Sequence, residues 1–206
     1  MINKETEIYC SFSSNPGNNG CIFFNSEFKE LNMNAIYKSF YSDDIEKSIE
    51  AVKSLDIKGF ALSMPFKIEA LDYVDEVEDS ARKIGSINTV VNKDGYLKGY
   101  NTDWVGVKEY FEIRWFDSIY IIGNGGFSKA VQYACSVTEI EFSLITRKNW
   151  ELISELSDKV LFTTTPVDIK TDNFLIDGRP HTDTGREIAL YQAKEQFKIY
   201  TGVEID

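Results

Sequence analysis

Ile121-Ile122-Gly123-Asn124-Gly125-Gly126-Phe127-Ser128-Lys129-Ala130 is the stretch whose reading decides the fold. It continues the apolar run Ser118-Ile119-Tyr120, which has the composition of a buried parallel strand. Ala130-Val131-Gln132-Tyr133-Ala134-Cys135 then has helical character. Strand, glycine turn and helix together make a phosphate cradle. Gly123 permits a tight turn, Gly125 lets backbone approach a pyrophosphate, and the helix N-terminus supplies N–H groups and a positive dipole end. Ser128 stands where a strict G-x-G-x-x-G would have its third glycine. An ordinary glycine turn between a strand and a helix would give the same local pattern.

The next strand narrows the reading. Phe142-Ser143-Leu144-Ile145 ends in Thr146-Arg147-Lys148. A dinucleotide fold places its ribose-reading residue about 20 residues past the glycines. An acid there would accept from a ribose 2′-hydroxyl and suit NAD. The position is basic here, and Arg147 could fork onto a 2′-phosphate, so the expected cofactor is NADP. A solvated strand end would also carry two basic residues.

Composition sets the outer bounds. A chain of 206 residues with 43% hydrophobic and 27% charged residues can bury a sizeable core as one large or two small domains. The formal charge of −11 argues against nonspecific nucleic-acid binding, which needs basic surface. Cys10, Cys21 and Cys135 are odd in number and lack metal spacing, which suggests a reducing cytoplasm. His181 is the only histidine, so a histidine triad or multi-histidine metal site has little to build on. No run approaches membrane-spanning length, and residues 1–5 lack an apolar signal core.

The first half reads β-α-β-α-β. Strands are expected at Glu7–Phe12, Ala35–Tyr41 and Gly59–Met64, with helices at about Ile22–Leu31 and from Ser42 or Asp43 to Leu55. The second helix puts Ile45, Ile49, Val52 and Leu55 on one face. Such a run implies a mostly parallel sheet with helical crossovers. Ligands bind beyond the carboxyl ends of parallel strands. Ser63-Met64-Pro65-Phe66-Lys67 lies there, with Pro65 expected at a helix start, and Ser63 and Lys67 are candidates to face a crevice. Ser86–Val91 and Tyr96–Tyr100 read as a hairpin around an Asp94-Gly95 turn. Asn88 lies in that hairpin, Asn101 follows it, and Asp103 precedes a helix at about Trp104–Phe111, where it could be an N-cap. A lysine, an aspartate and two asparagines at element ends, just before a dinucleotide turn, converge on function.

Beyond Lys148 the pattern gives a short helix at Trp150–Leu156, a strand at Val160–Thr165, a strand at Asn173–Asp177 and a loop through Asp183. His181 reads as a solvated loop residue. A last helix, about Glu187–Tyr200, carries Gln192.

Six pieces in this order resemble the shikimate dehydrogenase family: Ser63–Lys67, Gly85–Thr89, Asn101–Gly106, Gly123–Gly126, Thr163–Pro166 and Tyr191–Ala193. The resemblance implies NADP-dependent interconversion of 3-dehydroshikimate and shikimate, with Lys67 and Asp103 as the catalytic pair. It implies Ser63, Asn88, Asn101 and Gln192 as substrate contacts, and Gly123, Asn124, Gly125, Gly126, Arg147 and Thr165 as cofactor contacts. The expected fold is α/β: an N-terminal substrate domain with a mostly parallel sheet, at 1–102 and 184–206, and a reduced Rossmann-like dinucleotide-binding domain at 103–183.

The chain departs from the family in three places. Asn18-Asn19-Gly20 occupies the position of the family's carboxylate-holding Ser-x-Ser, as in the shikimate dehydrogenase-like branch. Thr146-Arg147-Lys148 replaces Asn-Arg-Thr, so only the arginine carries over. The span from Phe116 to Pro180 has room for roughly two βα units rather than six strands, and the tyrosine-bearing segment before the closing helix is missing. Quinate or another cyclic hydroxy acid is an alternative substrate, and a noncatalytic binding protein an alternative function.

Overall fold

A computed structural model of the chain describes residues 2–205. Two compact units divide it. One runs to Thr102 and takes in the chain from Gln196 onward; the other is Asp103–Glu195. Both are α/β, and six of the eight strand pairings among the described residues are parallel.

The first unit begins as the periodicity predicts. β1 (Glu7–Ser13), α1 (Asn19–Glu30), β2 (Ala35–Tyr41), α2 (Ile45–Ser54) and β3 (Gly59–Leu62) alternate, and β1 pairs in parallel with both β2 and β3. A short 3-10 helix (Glu69–Tyr73), β4 (Glu76–Val77) and α3 (Asp79–Ile84) follow. β5 (Thr89–Lys93) and β6 (Tyr96–Tyr100) close the sheet in the order β2-β1-β3-β5-β6-β4. β5 runs antiparallel to β3 and β6. Asp94 and Gly95 both have positive φ (53° and 89°), the requirement of the hairpin turn that their sequence announced. Asn92 Oδ1 accepts from Gly95 N at 2.8 Å and fixes that turn.

Several local expectations are corrected. α2 is capped by Asp44, whose side chain accepts from Lys47 N at 3.0 Å. Ser42 instead turns its hydroxyl onto Ser48 Oγ and Asp44 O. Leu55 is exposed past the helix end, because the buried face stops at Val52. Pro65 lies in a turn with a cis peptide bond before it, four residues ahead of the 3-10 helix, so Lys67 is not on the first turn of an α-helix. The first hairpin strand starts at Thr89, which leaves Ser86–Asn88 outside it. β4 and α3 had no apolar period to announce them.

The second unit holds α4 (Asp103–Ile113), β7 (Ser118–Ile122), α5 (Gly126–Val137), β8 (Glu141–Ile145), α6 (Leu152–Glu155), β9 (Val160–Thr163) and β10 (Phe174–Asp177). The four strands pair in parallel in the order β10-β9-β7-β8. Val107, Phe111, Ile119, Ile121, Val131 and Phe162 form its main core. α7 (Asp183–Thr201) starts four residues earlier than predicted. Gly185 is required there: a Cβ would lie 1.9 Å from Arg179 O. The helix counts with the second unit through Glu195 and with the first from Gln196.

Candidate active site

The glycine turn is built into the middle of the second unit's sheet. Gly123 has φ 113°, which a side chain rarely tolerates, and a Cβ would lie 2.4 Å from Thr164 Oγ1. Its N–H donates to Ile145 O at 2.8 Å, tying the turn to the end of β8. Thr164 ties it to the other side, since its N–H and its hydroxyl both donate to Ile122 O, at 3.0 and 2.8 Å. β8 and β9 flank β7, so the strand order reverses here, which is where open α/β sheets take ligands.

Gly125 serves a different purpose. It precedes α5 in extended conformation (φ −88°, ψ −172°), and a Cβ there would meet nothing within 4 Å. The space over Gly125 is open, as close approach of a phosphate requires. Asn124 is exposed beside it, and Gly126 opens the helix. Ser128, in place of the third glycine, donates from Oγ to Gly123 O at 2.8 Å and is fully buried. It fastens the turn to the helix by a hydrogen bond instead of by close packing.

Arg147 and Lys148 are exposed on a four-residue turn past β8. Asn149 Oδ1 accepts from Thr146 N at 2.7 Å and from Thr146 Oγ1 at 3.1 Å, while Asn149 Nδ2 donates to Leu144 O. The turn's own polar side chains thus hold its shape, leaving both cations outward. Thr165 is half-buried past β9, with its hydroxyl 3.1 Å from that of buried Thr163. An open glycine cradle and an exposed guanidinium on the adjacent strand end fit a phosphorylated dinucleotide.

In the first unit, Ser63, Lys67, Asn88 and Asn101 gather at the carboxyl end of β3. Ser63 N donates to Phe12 O at 3.1 Å, and Leu62 N to Asn88 O at 2.8 Å. Lys67 O accepts from Ile87 N at 2.8 Å, and buried Phe66 anchors the same loop. Ser63 is exposed and Lys67 half-buried. Asn88 and Asn101 are each 3% exposed. Asn88 Oδ1 accepts from Thr102 N at 2.8 Å, and Asn101 Nδ2 donates to Ser86 O and Ser86 Oγ at 2.9 and 3.1 Å. Ser13 and Ser14 reach the same loop through Met64 O, at 3.4 Å each. Asn18 precedes α1 without a side-chain cap.

Asp103 and Gln192 belong to the second unit. Asp103 is the first residue of α4 rather than the residue before it, and is 6% exposed. A carboxylate in a helix's first turn is favoured by the dipole. Gly106, one turn later on the same face, lets α4 approach α7 closely: a Cβ would lie 2.5 Å from Ile188 O and 3.0 Å from Gln192 Cβ. The glycine of the Asn101–Gly106 motif is therefore a packing requirement.

Other polar groups offer less chemistry. Burial pushes the Cys10 and Cys135 thiols up, that of Cys135 to about 12, so neither is a nucleophile near neutrality. His181 is exposed, as expected of a loop residue. Sequence reasoning missed Thr89, Thr102, Ser128, Thr164 and Gln196. Threonine after each asparagine of Asn88-Thr89 and Asn101-Thr102 was the one available signal.

The chain is similar to known proteins along its length. The family model for the shikimate dehydrogenase substrate-binding domain matches residues 20–90. A shikimate dehydrogenase-like protein of Haemophilus influenzae is 39% identical over 152 residues, covering 72% of this chain and 56% of that one. In this and similar matches the chain spans about half the length of its relatives. A shikimate dehydrogenase (NADP(+)) of Aquifex aeolicus is 30% identical over 261 positions, covering 100% of this chain and 95% of that one. At least 55 of those positions (261 less 206) have no counterpart here. The crystal structure of shikimate dehydrogenase from Aquifex aeolicus superposes with a TM-score of 0.83 at 27% identity, covering 100% and 96% of the two chains. With one relative aligned along the whole chain and the fold shared throughout, the chain belongs to the shikimate dehydrogenase family.

Proposed function

We propose that this chain is an NADP-dependent oxidoreductase interconverting 3-dehydroshikimate and shikimate, or a closely similar cyclic hydroxy acid. One observation carries the reading: the glycine turn sits where the strand order reverses, with Arg147 on the turn just past the neighbouring strand. Gly123–Gly126 and Thr165 would hold the pyrophosphate side of the cofactor, and Arg147 its 2′-phosphate. NADP, when bound, supplies the hydride acceptor. The chain's own task is to bind the ring and move one proton at the alcohol oxygen. We assign that proton to Lys67 and Asp103 as general acid–base groups. Ser63, Asn88, Asn101 and Gln192 match the hydroxyl-rich ring with donors and acceptors. Three free thiols suit the cytoplasm.

The four-stranded second unit favours one further reading, a protein that binds the acid without turning it over. The test is a panel of shikimate, quinate and similar acids with NADP+ or NAD+, followed by absorbance of the reduced nicotinamide. Turnover with shikimate and preference for NADP+ are expected. Calorimetric binding of the acid with no reduction of either cofactor would replace the enzyme by the binding protein.

A further inference from the structure

The closing helix ends in the first unit, and what holds it there also reaches a proposed substrate contact. Phe197 is fully buried against Phe24 and Phe28, with ring centroids at 6.1 and 5.5 Å. Tyr200 packs on Tyr9 at 5.1 Å and lies over Gly59, where a Cβ would approach its ring to 2.7 Å. Packing of these two rings holds the last two turns of α7 in place. Gln196, 3% exposed, directly precedes Phe197 and lies one turn before Tyr200. Its Nε2 donates to Tyr200 Oη at 2.9 Å and to Thr89 Oγ1 at 3.0 Å.

The hydrogen bonds then run in one direction. Thr89 Oγ1 accepts from Gln196 and donates onward to Asn88 Oδ1 at 2.9 Å. Thr102 N donates to the same Oδ1 at 2.8 Å, and Asn88 Nδ2 donates to Thr102 Oγ1 at 3.0 Å. Thr89 and Thr102 are fully buried. An amide has two orientations related by a flip, and only the network chooses between them. Here two donors converge on Oδ1, so the Asn88 amide is held one way round. Gln196 Nε2 can only donate, so Thr89 keeps its own proton for an acceptor, and Asn88 Oδ1 at 2.9 Å lies nearer than Thr102 Oγ1 at 3.3 Å.

We infer that Gln196 and Thr89 are positioning residues: they orient the Asn88 amide for the substrate hydroxyl that it recognises. This rests on the dehydrogenase reading and on Asn88 as a substrate contact. A site built to hydrogen-bond a hydroxyl loses discrimination when its polar groups are misoriented. The effect belongs to substrate recognition and not to the cofactor.

The experiment compares Thr89→Val, Gln196→Leu, the double variant and Thr89→Ser, with thermal melting recorded for each. Thr89→Val and Gln196→Leu should each raise KM for shikimate about tenfold, with NADP+ affinity within about twofold of wild type. The double variant should lose little more than either single one, because the two act in series. Thr89→Ser, which keeps the hydroxyl, should restore KM. Variants that melt earlier but keep wild-type KM would reduce the network to a packing device and overturn the proposal. Equal losses for shikimate and NADP+ would also overturn it. Wild type that neither binds nor turns over shikimate would fell the function and the positioning role together, whereas active wild type with indifferent variants fells only the latter.

Discussion

The two units solve the same problem of placing polar groups at a sheet end, and they solve it differently. In the first unit Asn88 and Asn101 are buried among Thr89, Thr102 and Ser86, and each amide is held by several bonds. In the second, Asn124, Arg147 and Lys148 are exposed on turns, and only the backbone under them is locked. The buried network joins the ends of β3, β5 and β6, with Leu62 N donating to Asn88 O and Asn88 N to Tyr100 O. The turns depend only on β7 and the strands beside it, β8 and β9. A dinucleotide fold of six strands can therefore lose outer strands and keep its switch point. Phe142 on β8 and Phe174 on β10 mark the cost, since both edge strands leave an aromatic ring exposed.

The largest expected effect tests whether the first unit is catalytic at all. Lys67→Ala should lower turnover about 10²–10⁴-fold, the range for a positioned acid–base group. Shikimate affinity should change far less, because Ser63, Asn88 and Gln192 remain. Retained turnover in the alanine variant would remove the proton from Lys67.

Next comes the contrast between the two glycines. Gly123→Ala forces a Cβ against Thr164 at positive φ, and should destabilise by on the order of 3 kcal/mol. Gly125→Ala meets no atom and should leave melting unchanged, yet weaken NADP+ binding measurably, because the new methyl fills the open space. The fluorescence of Trp104, Trp115 and Trp150, all in the second unit, isolates its unfolding from that of the first. Equal melting losses for the two variants would break the distinction between a packed and an open glycine.

Much of this was legible beforehand where local and tertiary demands coincide. β1, β2, the Asp94-Gly95 turn and the β7-glycine-α5 unit each carry a strong local signal that the fold keeps. Pro65 was misread because a proline after a strand suits a helix start and a tight turn equally well. α3 was missed since its Glu78 cap and single buried turn are too short for a period. Thr89, Thr102 and Gln196 carry no motif: their roles come from contacts such as Gln196 to Thr89, 107 residues apart. Ser128 looked like a defect in a glycine motif, and only its bond to Gly123 O shows what replaces the glycine.

Arg147→Ala is a smaller effect, aimed at the exposed turns. It should weaken NADP+ binding by about ten- to a hundredfold and NAD+ binding little, since only the former has a 2′-phosphate. Lys148→Ala should cost less, because a flexible ammonium is a point charge without a fork. Equal losses for both cofactors would take the phosphate away from Arg147.

The smallest expected effect concerns one carboxylate in each unit. Asp177, at the end of β10, takes bonds from Arg179 Nε at 3.0 Å and Nη2 at 2.6 Å. Burial pushes its carboxyl up, but the Arg179 bonds outweigh burial and hold it below the usual range. Glu78 caps α3 in the first unit, its Oε2 accepting from Ser80 N and Ala81 N at 2.9 and 3.2 Å. There too burial raises the carboxyl and the bonds from Ser80 and Ala81 lower it further. A folded pKa below the unfolded one means that the unfolded chain binds the proton more readily. The stabilisation is then present above pH about 4 and is lost as pH falls through the lowered folded value. Asp177→Asn should destabilise the second unit by about 1 kcal/mol near neutrality and by less in acid, where the wild-type carboxyl is itself protonated. Tryptophan fluorescence should report that loss, while hydrogen exchange in β1 and β3 stays at wild-type rates. Glu78→Gln should do the reverse, speeding exchange in the first unit and leaving the tryptophan signal alone. If either substitution loosens both units equally, the two unfold as one body, and the contrast between a buried network and exposed turns no longer reflects separate stabilities.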